Sequence, residues 1–416
     1  MRIRSWNSTF FSLGIVLSIV GIPAMALIKI SLNQNLSILS VMVQILSCLL
    51  LLNYRKIFYY PKINFAFFTI LLYTLYTLFL AWSSDIPFMS PPVGFVYQLF
   101  YSIQIVFLWN NMDRVDLKQI INLLLWVSGI LTLVALFFIV DNIRSTGNFF
   151  FQGLGLDEFN NFIVSRSTTA TLSFITLILI LVNNSWKHSK FWLYLFFMVS
   201  VFVMLCSNRR SITGTFLIIG IYHFICLQKI KIKKKYLLVV LLHSIAIVTI
   251  FVIMYFLIPS FQNLIQSSFN SLENALGTYF GNSTSFDLSA NYRRQRLETI
   301  PELYLFNSNF KEFVFGRGYM TEWLDIPFLQ AFYDLGFIGG IYFLIIQLFL
   351  PLFFIFKKTD EPIIKFAQYY VLLRVILHFC SGLPYGCFFP LVMLMLFFNI
   401  KKLNMNKQKN IYLQEG

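Results

Sequence analysis

The chain predicts an all-α, polytopic membrane helix bundle of about 12 transmembrane helices, with a long extracytoplasmic loop carrying short amphipathic helices. Composition is the first reason. Hydrophobic residues make up 58% of the 416, charged residues only 12%, and Phe alone occurs 49 times. A soluble chain of this length could not hide so much apolar surface. The second reason is the number of apolar runs of roughly 17–25 residues, the length needed to cross a bilayer. The third is the distribution of Lys and Arg, which separates the loops into two faces.

The runs fall at about 10–30, 36–53, 63–82, 93–110, 119–140, 167–183, 190–206, 211–227, 236–258, 328–356, 362–380 and 384–400. The first is not read as a cleavable signal peptide, because Met25-Ala26-Leu27-Ile28 runs on without a convincing processing site and further spans follow. Residues 1–258 therefore hold spans one to nine, with an outer loop at 141–166. A large outer loop occupies 259–327, spans ten to twelve occupy 328–400, and a tail follows at 401–416.

An even number of spans puts both termini on one side. Of the 32 Lys and Arg residues, 21 share that side, including Arg2, Arg4, the run Lys229–Lys235 and the tail lysines. The positive-inside rule makes that side the cytoplasm. Nine lie on the opposite face: Arg144, Arg166, Arg209, Arg210, Arg293, Arg294, Arg296, Lys311 and Arg317. Eight of these nine are Arg. Lysines do topological work, so the net charge of +15 does not point to nucleic acid. Arginine concentrated on the outer face fits bidentate phosphate recognition. The competing reading is local pairing with Asp157, Glu158 or Glu298.

The long outer loops are where chemistry is expected. The first carries Arg144, Gly153, Gly155 and Asp157-Glu158. In the second, Phe261, Leu264, Ile265, Phe269, Leu272 and Leu276 recur at helical spacing, which predicts an amphipathic helix on the outer leaflet. A Gly/Asn/Ser stretch (277–289) follows, then Asn291-Tyr292-Arg293-Arg294-Gln295-Arg296. A second helical pattern begins at Leu297 and gives way to Gly316-Arg317-Gly318.

Soluble-enzyme signatures are missing: no P-loop, no G-x-S-x-G, no H-E-x-x-H, no C-x-x-C. The five cysteines have no metal-ligand spacing. Of four histidines, His223 and His243 fall inside spans and are expected to be packed there. His378, near the outer end of span eleven, is a candidate for positioning an acceptor. Charged residues inside spans are few: Arg374, Lys29 near one end, and Asp334 in span ten. A proton- or sodium-coupled transporter usually needs intramembrane carboxylates, so their scarcity favours chemistry at the outer face.

Three features in order carry a resemblance. Ser207-Asn208-Arg209-Arg210-Ser211 joins two spans. An Arg-containing stretch leads through a helix to Gly-x-Gly (Arg293 to Gly318). Phe328-Leu329-Gln330 then opens a span with Gly336-x-x-Gly339. Over roughly 165–345 the chain resembles the O-antigen polymerase and ligase family of bacterial membrane glycosyltransferases. The resemblance implies a multi-pass protein of the bacterial inner membrane, acting at its periplasmic face on oligosaccharide repeat units carried by undecaprenyl diphosphate. It implies no metal and no other cofactor. It leaves open whether a chain-length regulator protein binds. By the resemblance, Arg209, Arg210, Arg293, Arg294, Arg296 and Arg317 would grip the diphosphate, with Arg209, Arg210, Arg294 and Asp325 as the catalytic set.

One departure bears on the branch. Ligases usually carry His eleven residues before the first Gly of Gly-x-x-Gly, and here that position is Asp325. Its absence favours the polymerase branch over the ligase. Asp325 is either a base that positions the acceptor or a loop-capping residue before span ten. A lipid-linked oligosaccharide flippase is the third reading, which the long outer loop with its arginines disfavours.

Overall fold

The computed structural model describes residues 2–31, 37–52, 91–111, 115–147, 151, 153–156, 162–183, 190–228, 287–306, 309–318 and 324–380, with single positions at 68–79, 249–278 and 397–399. Helices hold 89% of these residues. They are α1 (Arg2–Ser31), α2 (Ser37–Leu51), α3 (Pro91–Asn110), α4 (Leu117–Thr146), α5 (Arg166–Val182), α6 (Lys190–Ser207) and α7 (Arg210–Gln228). After them come α8 (Leu288–Phe306), α9 (Phe310–Phe315), α10 (Pro327–Leu344), a π turn (Ile345–Phe349), α11 (Leu350–Ile355) and α12 (Pro362–Cys380).

Among the described residues, three helices are long and apolar enough to cross a membrane: Leu117–Thr146, Lys190–Ser207 and the continuous Pro327–Ile355. Shorter apolar helical stretches lie at Ser8–Gly21, Val41–Leu51 and Arg166–Val182. The protein is thus a mostly helical membrane protein. The expected spans at 63–82, 236–258 and 384–400, the Lys229–Lys235 run and the tail lie outside the described residues, apart from single positions.

Helix α5 is the hub. It packs against α4, α6, α7 and α12, and Ala170, Leu172, Phe174, Ile175, Ile178 and Leu179 on it are fully buried. Where apolar side chains surround a helix on all sides, polar bonds between helices set the register. Thr132 on α4 meets Thr176 on α5 at 3.2 Å. Gln104 on α3 donates to Gln44 on α2 at 2.6 Å. His223 on α7 bonds the Tyr369 hydroxyl on α12 at 2.8 Å, so that histidine is packed as expected. Gly129 gives the Phe196 ring room between α4 and α6, since a Cβ there would collide with it.

These contacts also fix the ends of the helices. The amide of Gln119, near the start of α4, donates to Thr9 near the start of α1, and Asn183 after α5 donates to Asn122 on α4. At the other end, Thr169 near the start of α5 meets Ser207 at the close of α6 at 2.7 Å. The Arg166 and Arg209-Arg210 segments therefore share one end of the bundle, opposite the starts of α1 and α4.

Three expectations about the outer segments need correction. The loop at 141–166 is shorter than expected, because α4 runs on to Thr146 and takes Arg144 into its last turn. Gly147 stops α4 in the left-handed conformation (φ 68°), with its N–H on the Ile143 carbonyl. The all-α reading also misses a hairpin. Strand β1 (Gly153–Leu156) pairs antiparallel with β2 (Phe162–Ser165) in the register Gly153↔Ser165, Leu154↔Val164. Backbone groups that are not in helices must still pair, and the hairpin pairs them; Ser165, its last residue, then caps α5 by accepting from the Thr168 amide. In the second loop the helix starts at Leu288, not Leu297, so Arg293, Arg294 and Arg296 sit on α8 itself. Asp287 starts it, its Oδ1 accepting the Ala290 amide at 2.8 Å. Of the expected amphipathic helix before it, Phe269 is helical and exposed. Phe261, Leu264, Ile265, Leu272 and Leu276 lie outside the described residues.

Candidate functional site

The turn between α6 and α7 is made by Asn208 in the left-handed region (φ 44°), a conformation that Asn tolerates better than most side chains. It lifts Arg209 and Arg210 off the end of α6. The backbone of this end is tied down from the preceding loop, where the Phe151 amide donates to the Cys206 carbonyl at 3.0 Å.

Arg210 reaches across 77 residues of sequence to Asp287, Nη2 to Oδ2 at 2.7 Å. Burial alone would raise the Asp287 carboxyl. The Arg210 hydrogen bond, the Ala290 amide and the charges of Arg210 and Arg293 outweigh it and hold the group below its ordinary value. Asp287 thus caps α8 and orients Arg210 at once. Arg293, on the next turn of α8, donates both Nε (3.1 Å) and Nη2 (2.8 Å) to Oδ2 of Asp325. Oδ1 of Asp325 has no partner among the described residues. Asp325 is itself left-handed (φ 55°), and the residue in the N-cap position of α10 is Ile326, without a side-chain cap. The loop-capping reading of Asp325 is therefore corrected: its side chain serves Arg293.

Arg209 differs from both. Its side chain is half-buried, its Nε is buried without a hydrogen-bond partner, and it makes no ion pair among the described residues. Burial, then the Arg166 cation, push its guanidinium below the ordinary value; Arg293 adds to this and Asp325 opposes it. An arginine nonetheless stays charged. The arrangement is four cations (Arg166, Arg209, Arg210, Arg293) with two carboxylates, and the carboxylates hold only two of the four. It can receive an anion with several oxygens.

The remaining sequence-predicted residues are elsewhere. Arg294 pairs with Glu298 at 3.0 Å, one helical turn on, and donates to the Thr278 carbonyl; for this residue the local-pairing reading describes what is observed. Arg296 lies over the Tyr292 ring at 4.9 Å. Arg317 stacks on Tyr333 at 5.0 Å, donates to its hydroxyl at 3.1 Å and meets Glu312 at 3.4 Å. A concavity of about 650 Å³ opens beside it, lined by Asn309, Lys311, Glu312, Gly316, Arg317 and Tyr333. His378 is buried inside the bundle, bonded to Gln347 at 3.2 Å and edge-on to Phe343. None of its partners among the described residues belongs to the arginine group. Asp157 and Glu158 lie outside the described residues.

The two glycine motifs prove to be one feature. Helix α10 is broken at Gly336 (φ 73°, ψ −174°), which frees the carbonyls one turn earlier. The Gly316–Gly318 loop fills the gap: Arg317 N donates to Tyr333 O at 3.1 Å and Gly318 N to Asp334 O at 3.2 Å. The Tyr76 hydroxyl takes Leu335 O at 3.4 Å. Gly336 lies directly against the backbone of Val314 and Gly316, where a side chain would not fit. A second small core of Ile300, Leu324, Ile326, Leu329 and Tyr333 locks α8 to α10 beneath.

Sequence reasoning overlooked Arg166 and Asp287 as members of the group. Arg166 was already counted among the outer cations. Asp287 had a weaker signal, an acid one residue before a helix. Among the described residues no group of three or more His, Cys, Asp or Glu could hold a metal ion. No protein-family model matches the chain, and no curated protein matches it.

Proposed function

We propose that this protein is a membrane glycosyltransferase of the O-antigen polymerase kind, joining undecaprenyl-diphosphate-linked repeat units at the periplasmic face of the bacterial inner membrane. In this reading twelve helices cross the membrane, both termini are cytoplasmic, and the arginine end of the bundle faces the periplasm. The observation that carries the reading is Arg209, a half-buried guanidinium with no ion-pair partner among the described residues, set beside Arg166, Arg210 and Arg293 at one end of a membrane bundle. A cation left in this state suits a polyanionic ligand delivered at the membrane surface.

The reaction follows from that ligand. The bond between the anomeric carbon of the growing glycan and its phosphate oxygen breaks. A hydroxyl of the terminal sugar on the incoming repeat unit forms the new bond to that carbon, and its proton passes to Asp325 through the open Oδ1. Undecaprenyl diphosphate leaves with the bonding electron pair, and the arginines neutralise the charge it gains. Exposed aromatic side chains such as Phe349 and Phe353 on Pro327–Ile355 would, in this reading, face the lipid in which the prenyl chain lies.

Deleting the chain is expected to leave single repeat units still transferred to their final acceptor, so a glycan gel would show one short band in place of a ladder. Polymer stranded on its lipid carrier would favour the ligase, and loss of all surface glycan would favour the flippase. Reporter fusions at Lys233 and Asn282 check the sidedness: cytoplasmic activity is expected at Lys233 and periplasmic activity at Asn282. A cytoplasmic signal at Asn282 would sink the topology and the mechanism with it.

A further inference from the structure

Asp334 is a fully buried carboxylate that the reaction above does not use. Its Oδ1 accepts Nε2 of Gln330 at 2.9 Å, one helical turn earlier on α10. Gln330 is itself buried, and its Oε1 accepts the amide of Leu324 at 2.9 Å. Leu324 precedes Asp325, the left-handed residue whose carboxylate holds Arg293. The main-chain carbonyl of Asp334 meanwhile receives Gly318 N from the loop that carries Arg317. One residue thus anchors the Asp325 turn through its side chain and the Arg317 loop through its backbone.

A buried amide side chain with both ends bonded fixes the groups it joins. A left-handed non-glycine residue persists only where its surroundings hold it. Leu324 and Ile326 bury apolar side chains on either side of Asp325, but they cannot orient the backbone between them as a hydrogen bond can. We propose that Gln330 and Asp334 are positioning residues: they hold Asp325, and through it Arg293, in the geometry the glycosyl transfer needs. This rests on the reading of Asp325 and Arg293 as part of the site.

The test uses the full-length protein in lipid nanodiscs, assayed with a lipid-linked repeat unit and by amide hydrogen exchange. Gln330→Leu keeps the volume and loses both bonds. It should lower the turnover rate by about 10–100-fold, the scale on which small misplacements act. The segment around Leu324 should exchange faster, with α5 and α6 still protected. In the Asp325→Ala background the same change should cost almost nothing more, because Gln330 acts through Asp325. Asp334→Asn keeps an acceptor oxygen for Gln330 and should stay within about threefold of the parent, whereas Asp334→Leu should match Gln330→Leu. That contrast stands even if Gln330→Leu fails to fold. Full activity in Gln330→Leu beside an inactive Asp325→Ala overturns the positioning role alone. Losses that simply add in the double variant also overturn it. Full activity in Asp325→Ala overturns both this inference and the assignment of Asp325 to the site.

Discussion

Arg209→Ala is expected to abolish polymer while leaving the protein in the membrane at its normal level. The reason lies in what Arg209 lacks. Removing Arg210 would strand Asp287, and removing Arg293 would release Asp325, so those variants mix function with folding. Removing Arg209 strands nothing among the described residues and relieves repulsion from Arg166 and Arg293. Losing one donor to a charge that develops in the transition state typically costs roughly 10²–10³ in rate. Stability should hold or rise, which is the pattern expected of a side chain kept for function at a structural cost. Arg209→Lys should rescue poorly, since an ammonium cannot grip two phosphate oxygens in one plane. Polymer ladders on a gel, beside a thermal-stability measurement on the purified protein, read both halves. A normal ladder in Arg209→Ala would remove the main support for diphosphate binding.

Gly336→Ala is expected to be the most destabilising of the simple substitutions. The backbone there has φ 73°, and a Cβ would fall on the backbone of Gly316 and Val314. Neither neighbour is the end of a flexible side chain, so the loop that carries Arg317 must come off the broken helix. Its departure leaves the Tyr333 and Asp334 carbonyls without the donors they now have. Strain and unpaired carbonyls together should cost about 3 kcal/mol or more. Gly316→Ala should behave alike, because its Cβ would collide with the Asp334 carbonyl. Gly214→Ala and Gly220→Ala are the controls: nothing lies within 4 Å of either Cβ position. In a helix interior alanine should be neutral or stabilising by up to about 1 kcal/mol. Denaturation of the detergent-solubilised variants would check the order.

Much of the architecture was legible because its signals are local. An apolar run long enough to cross identifies α4, α6 and Pro327–Ile355 without any knowledge of neighbours. The Arg209-Arg210 turn was legible as an arginine pair between two apolar runs, and it lies at one end of the bundle. What could not be read depends on distant partners. Nothing near Arg210 in sequence announces Asp287, 77 residues away. Arg293 and Arg294 are adjacent and chemically identical, yet one pairs with Asp325 and the other with Glu298, one turn along its own helix; their directions around α8 decide it. Gly336 carries the same residue type whether it permits close packing or breaks a helix, and only the arrival of Gly316–Gly318 distinguishes the two. The start of α8 was misjudged because polar residues from Leu288 to Arg296 look like loop, although Asp287 supplies the cap.

Glycan polymerisation on a lipid diphosphate can be checked by reconstitution. Purified protein in lipid vesicles would be given an undecaprenyl-diphosphate-linked repeat unit from the organism's own surface polysaccharide, with products separated by size. The expected product is a ladder of lipid-linked dimers and longer oligomers, with one undecaprenyl diphosphate released per new linkage, and no ladder with Arg209→Ala. Folded protein that consumes the donor without lengthening it, or leaves it unchanged beside an active control polymerase, would contradict polymerisation by this chain.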